Sequence, residues 1–254
     1  MILTSVIHNR ILSRLDAEGS DRYTFDQDTK YAINSAMEVL VTLFNQAFGD
    51  NKLTPENLRE LNKVKVWQAS SMSRIAFDEV AVGHGMWSII AVYPKPETNK
   101  PAITSGSKTP TNSKFRDDVT LKSSGQAAKR LTQEEWNENE DNAFMPGNNI
   151  LKGSIQEYAY LDFADYTSTS YPGGSDKVEI TIRPDVSNQM VAMAYLKYPN
   201  QVSSINDLIE FPKSLTELIV DLALTKIGEK QGDSTNLYGV SQQNVNLLVS
   251  MIKQ

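Results

Sequence analysis

The chain has 254 residues, a formal net charge of −6, no cysteine and only two histidines. The missing thiols exclude disulfides, thiolate nucleophiles and cysteine-ligated zinc, and two histidines leave imidazole chemistry little to work with. The acidic balance argues against a general electrostatic grip on nucleic acid, though not against an acidic conduit that must let DNA pass without holding it.

The stretch Ile2 to Leu15 predicts a first short helix, with Val6, Ile7, Ile11, Leu12 and Leu15 on one side. It lacks the continuous apolar core and small-residue cleavage site of a signal peptide, so export is not expected. Thr24 and Gln27 have capping-box spacing and open a long helix to about Phe48, on the order of 35 Å at about 1.5 Å per residue. Ile33, Met37, Leu40, Val41, Phe44 and Phe48 fall on its apolar stripe. Gly49-Asp50-Asn51 ends it, and Thr54-Pro55 starts a further short helix reaching about Leu61, with Val64, Val66 and Trp67 beyond.

The grammar then changes to strands. Ile75–Val82 and Met86–Tyr93 flank Gly83-His84-Gly85, which suits a β-hairpin with His84 as a turn residue. Residues 94–149 hold half of the ten prolines, with blocky charge and sparse apolar residues. They read as an inserted extended arm able to reach roughly 80 Å when folded back on itself. Tyr158–Phe163 resumes strand character. Val178, Ile180 and Ile182 alternate with Glu179, Thr181 and Arg183 at the period of a half-buried strand, and Met190–Tyr198 is expected to pair back on it.

Ser203 or Ser204 caps a helical turn over Ile205–Ile209. Ser214 and Glu217 then give an S-x-x-E capping box for a helix to Gly228, apolar over more than half its circumference through Leu215, Leu218, Ile219, Val220, Leu222, Ala223, Leu224 and Ile227. A second periodic run, Leu237 to Met251, completes a helical hairpin. The expected fold is therefore α+β. Residues 1–67 and 201–254 form a helical bundle, with a small inserted antiparallel β-sheet from 68–93 and 150–200 and a long extended arm over 94–149.

No nucleophile elbow, phosphate loop, dinucleotide fingerprint or H-E-x-x-H is present. The acidic neighbours Asp117/Asp118 and Asp162/Asp165 read as solvated surface rather than a cation site. No catalytic, cofactor or metal site is expected. The arm supplies the candidate partner-binding residues Phe115, Arg116, Trp136 and Phe144: Phe115 between Lys114 and Arg116 is a stacking site in miniature, and Trp136 is an aromatic anchor in a polar setting.

Two stretches carry a family resemblance. Leu15-Asp16, Arg22-Tyr23 and Tyr31-Ala32-Ile33-Asn34-Ser35-Ala36 look like the opening of the head-to-tail adaptor (connector) proteins of tailed bacteriophages, and Ile209-Glu-Phe-Pro212 through Leu224 to Gly232-Asp233 resembles their terminal helical pair. The cysteine-free, Asn- and Ser-rich character with a long insert is similar to the ring proteins of crAss-like short-tailed phages. The resemblance covers residues 1–65 and 175–254; the arm departs from the compact adaptors.

It implies a non-enzymatic virion protein of the neck or tail, assembled in the host cytoplasm. Its partners would be its own copies in a dodecameric ring, the portal protein above and other tail-ring or tail-tube proteins below. Viral DNA would pass through without sequence-specific contact, and no membrane would be involved. A tail-tube or host-facing binding module is the alternative. A carboxylate-dependent hydrolase is a third reading, for which no carboxylate pair stands out.

Overall fold

The computed structural model describes residues 1–15, 23–48, 58–70, 72–77, 79–101, 114–138, 158–163 and 179–231. Its elements run β1 (Ile2–Leu3), α1 (Thr4–Arg14), α2 (Lys30–Phe48), β2 (Asn62–Gln68), β3 (Arg74–Ala76), α3 (Glu79–Val82) and β4 (Met86–Tyr93). Then come β5 (Glu97–Thr98), β6 (Lys114–Phe115), β7 (Leu121–Ser123), β8 (Lys129–Leu131), α4 (Gln133–Glu138) and β9 (Ala159–Phe163). The last are β10 (Glu179–Arg183), β11 (Met190–Lys197), β12 (Leu208–Ile209) and α5 (Thr216–Gln231). The chain divides into two compact units, residues 1–62 with 198–254, and residues 63–197.

In the first unit, α1, α2 and α5 pack together. Thr4, Ile7, His8 and Ile11 are the buried side of α1, a spacing of three, four and seven residues. Val6 is exposed instead, because Ile2–Leu3 is a strand pairing antiparallel with β12, not the first turn of the helix. The turn at 204–206 leads into β12 as well. Asp207 fixes that corner: its Oδ2 accepts from the Ser203 and Ser204 N–H groups at 2.8 Å, and its backbone carbonyl accepts from the Thr4 N–H at 3.0 Å.

Before α2 the chain makes a π-helical turn, Phe25–Thr29. Thr24 Oγ1 accepts from the Gln27 N–H at 3.3 Å as its capping spacing predicts, while Asp28 returns the bond to the Thr24 N–H at 3.2 Å. The expected α2 stripe is buried at Ile33, Met37, Leu40, Val41 and Phe44.

α5 is buried around its whole circumference from Leu218 to Thr225, and it runs through Gly228 to Gln231. Gly in a helix interior costs about 1 kcal/mol, less than burial of a side chain such as Ile227 returns. The Ser214–Glu217 box does not form. A 3₁₀ turn, Lys213–Leu215, leads into α5, and Glu217 instead pairs with Arg10 and Arg14 of α1. Arg14 also pairs with Asp221, which is buried. Arg14→Ala leaves that carboxylate without its cation. Because the Arg14 side chain is itself 42% exposed, solvent screens the loss to about 1 kcal/mol in urea denaturation, and the double variant Arg14→Met/Asp221→Leu should recover it. The predicted second helix of the C-terminal hairpin, Leu237–Met251, lies outside the described residues, as does the helix start at Thr54–Pro55.

The second unit overturns the expected small sheet. Two four-stranded sheets, ordered β4-β11-β2-β6 and β3-β10-β9-β8, share one core. Trp67, Met86, Val92, Val191, Met193 and Tyr195 from the first meet Ile75, Tyr160, Ile180 and Ile182 from the second. The expected β-hairpin around Gly83-His84-Gly85 is not made: β3 pairs with β10 while β4 pairs with β11. β11 likewise does not pair back on β10, whose partners are β3 and β9. Apolar residues on consecutive strands can line one core from two sheets as readily as from one, and here the chain changes sheet from β3 to β4 and again from β10 to β11.

Residues of the expected extended arm are built into this unit. β6 adds to β2 through Trp67↔Phe115, β5 and β7 form a two-stranded ribbon, and β8 runs parallel to β9. The sparse apolar residues of the stretch explain this. Val119 and Leu121 cover Val66, Met190 and Ala192 on the outer face of one sheet; Leu131 and Trp136 cover Ala159 and Leu161 on the other. The expected α+β fold, a helical bundle with a small antiparallel sheet and a projecting arm, is thus corrected: the strands build a two-sheet unit with a partly parallel sheet.

Gly125 lies at φ +71°, and a Cβ there would sit 2.9 Å from the Lys95 carbonyl oxygen. Gly125→Ala should cost about 1–3 kcal/mol, measured by thermal denaturation. Gly83→Ala, at φ +76° with nothing within 4 Å, should cost only about 1 kcal/mol.

Candidate interaction surfaces

Phe115 and Arg116 sit at the edge of the first sheet. The Phe115 ring packs edge-on against Trp67, centroids 5.4 Å apart, and the Lys65 ammonium lies 5.6 Å from its centroid. Arg116 is turned inward along the surface. Its Nε and Nη2 donate to Asp118 at 2.9 and 3.0 Å, and its Nη1 to Gln68 Oε1 at 3.3 Å. Lys100 adds a third cation-to-carboxylate bond at 2.9 Å. Hydrogen bonds from Arg116 and Lys100 hold the Asp118 carboxyl well below the usual carboxylate range. The pair therefore stacks and bonds within its own unit.

Trp136 is not beside them. It projects from α4, which begins with a reciprocal cap: Thr132 N–H donates to Glu135 Oε2 at 2.8 Å and Glu135 N–H to Thr132 Oγ1 at 3.2 Å. The indole is buried on Leu131, Ala159 and Leu161, with the Arg183 guanidinium 4.1 Å from its ring centroid. Phe144 lies outside the described residues. His84 keeps its place in a turn, its Nε2 3.4 Å from the Tyr195 hydroxyl. Burial pushes the Tyr195 phenol up, so it stays protonated at all working pH values.

A polar cluster joins two turns of the same unit. Ser73, at φ +56°, bonds Asp185 through its hydroxyl, which also accepts from the Val186 N–H at 3.0 Å. Ser187 bonds the same carboxylate through its hydroxyl and, at 2.9 Å, its N–H. The Ser187 and Ser73 hydroxyls, in that order, hold the Asp185 carboxyl below its ordinary value. A depressed carboxyl contributes stability above its unfolded value, near 3.8, that is lost as pH falls through the folded one. Asp185→Asn should therefore be less stable than the parent at neutral pH, the gap closing as urea midpoints are followed down to pH 3.

Four exposed aliphatic side chains of the first unit, Met1, Leu3, Val6 and Leu208, belong to the β1–β12 pair or to residues within three positions of it. Ile2 and Ile209 pair inward and are buried. Their neighbours Leu3 and Leu208, also cross-strand partners, point outward at 48% and 53% exposure, flanked by exposed Met1 and Val6. None of the four was singled out from the sequence. Reading Ile2–Leu15 as one helix put Val6 on the buried side and hid the ribbon, since Leu3 stands four residues before Ile7 and continues the Ile7–Ile11 spacing.

Among the described residues no three His, Asp or Glu side chains gather as metal ligands, and no helix is long and apolar enough to cross a membrane. No protein-family model matches the chain, and no curated protein matches it.

Proposed function

We propose that this protein is a structural component of a tailed-phage virion. It acts as a head-to-tail adaptor that forms a ring below the portal, extends the DNA channel and offers the tail its attachment surface. The observation that carries this reading is the outward Leu3–Leu208 ribbon, with Met1 and Val6 beside it. Clustered exposed aliphatic side chains favour association with another protein surface. The ribbon also lies within the stretch, residues 1–65 and 175–254, that resembles the adaptors. Its partners in this role are its own copies, the portal and the next tail ring, and its place is the neck or tail of the particle.

Native mass spectrometry of the full chain, alone and mixed with portal, tests the reading. A portal-dependent shift from monomer to a closed ring is expected. Leu3→Glu and Leu208→Glu should lower ring occupancy by about tenfold or more while leaving circular dichroism unchanged, since burying an unpaired carboxylate at an interface costs well over 1.4 kcal/mol. A chain that stays monomeric with portal present and binds host cells instead would overturn the adaptor and favour a host-facing tail module.

A further inference from the structure

One exposed apolar side chain of the second unit stands on a heavily braced turn. Met72 is 62% exposed, while Ser70 and Ser73 on either side of it are buried. The Ser70 N–H donates to the Arg74 carbonyl at 2.9 Å, and the Ser73 N–H to the Ser70 carbonyl at 3.2 Å. Ser70 Oγ accepts from the Met72 and Arg74 N–H groups at 3.3 and 3.2 Å. Behind the tip, the Ile182 N–H donates to the Ser73 carbonyl at 3.0 Å, and the Ser73 hydroxyl donates to Asp185 and accepts from the Val186 N–H. A serine keeps a φ of +56° when bonds such as these over-determine it. The backbone under Met72 is thus fixed before any partner arrives. An unbranched, polarisable side chain on such a base is a preorganised anchor, which gives up little backbone freedom on binding.

The first unit carries the outward pair Leu3 and Leu208, both exposed on adjoining strands. The Met72 tip belongs to residues 63–197 and the ribbon to residues 1–62 with 198–254. A ribbon set against a second ribbon would bury only a few aliphatic side chains on each copy. That falls short of the roughly 800 Å² per partner of a stable complex, and its two-fold symmetry would stop assembly at two copies. A tip set on a ribbon is heterologous: each copy gives its tip to one neighbour and its ribbon to the other, and copies added in this way can close into a ring. We propose that, within the adaptor reading on which this contact rests, Met72 of one copy seats on the Leu3–Leu208 pair of the next. One side chain on a small patch is weaker than a standard interface, so the contact holds where copies are already arrayed on a portal and it repeats around the ring.

The chain has no cysteine, so introduced thiols report this contact alone. Full chains carrying Met72→Cys or Leu208→Cys are assembled on portal and treated with a short bis-maleimide. A cross-linked dimer is expected when the two variants are mixed and not from either one alone. The double variant Met72→Cys/Leu208→Cys should give a ladder of covalent multimers. Met72→Glu should lower ring occupancy in native mass spectrometry by about tenfold or more with circular dichroism unchanged, and Met72→Leu should retain it. A ring that forms on portal without the mixed cross-link, Leu208→Cys chains that link to one another, or full ring occupancy in Met72→Glu would each overturn this contact and leave the adaptor reading standing. A parent chain that stays monomeric with portal present would overturn both.

Discussion

Trp67→Ala is expected to destabilise the two-sheet unit by about 3–5 kcal/mol. Trp67 is fully buried, and its indole touches Phe77, Phe115 and Tyr195 at centroid separations of 6.0, 5.4 and 5.9 Å. The loss has two parts, the transfer of a large aromatic surface and a cavity that three rigid rings cannot collapse to fill. β6 is attached through the Trp67↔Phe115 pair, so its edge strand should loosen first. Trp67→Phe separates packing from polarity. Among the described residues the indole N–H finds no hydrogen-bond acceptor, so phenylalanine gives up volume but no bond and should cost less than about 2 kcal/mol. Urea denaturation followed by near-ultraviolet circular dichroism reads both variants. A loss under 1 kcal/mol for Trp67→Ala would show that this core repacks freely.

Val220→Asp is expected to unfold the helical unit at neutral pH, at a cost of about 3 kcal/mol or more. On a helix buried along one stripe, Val220 would fall at the margin, beyond Ala223 and Ile227, and tolerate a carboxylate. On α5, Leu218, Ile219, Val220, Leu222, Ala223 and Leu224 are all buried, so no side of the helix offers water to a new charge. Glu217→Gln on the same helix is the control. Its side chain is 54% exposed, and losing its ion pairs with Arg10 and Arg14 should cost no more than about 1 kcal/mol. Helical signal retained by Val220→Asp to the parent's urea midpoint would mean that α5 can shift to expose that face.

Of the candidate site, only the residue types were legible in advance. Phe115 and Trp136 were read as exposed anchors because their stretch is polar, but a polar stretch with five or six well-spaced apolar residues can lie along two sheets and bury each of them. His8, on an amphipathic helix, reads from the sequence as a surface or boundary residue. It is buried since it shares the spacing of Thr4, Ile7 and Ile11. The Leu3–Leu208 ribbon was invisible because its two strands are only two residues long and about two hundred positions apart in the chain.

What the sequence determined by itself is local. The α2 stripe, an apolar arc over more than half of α5 and the alternation of Ile180 and Ile182 follow from periods of 3.6 and 2, and the Thr24 cap from its spacing to Gln27, all of which a chain states within a few turns. What only the tertiary structure decided is partnership: which strand lies beside β4 or β10, which sheet takes residues 114–131, and whether Glu217 caps its own helix or binds two arginines of another. Backbone hydrogen bonds are nearly indifferent to side-chain identity, so strand order is chosen by which arrangement buries the most apolar surface at once. That choice is made by residues far apart in the chain.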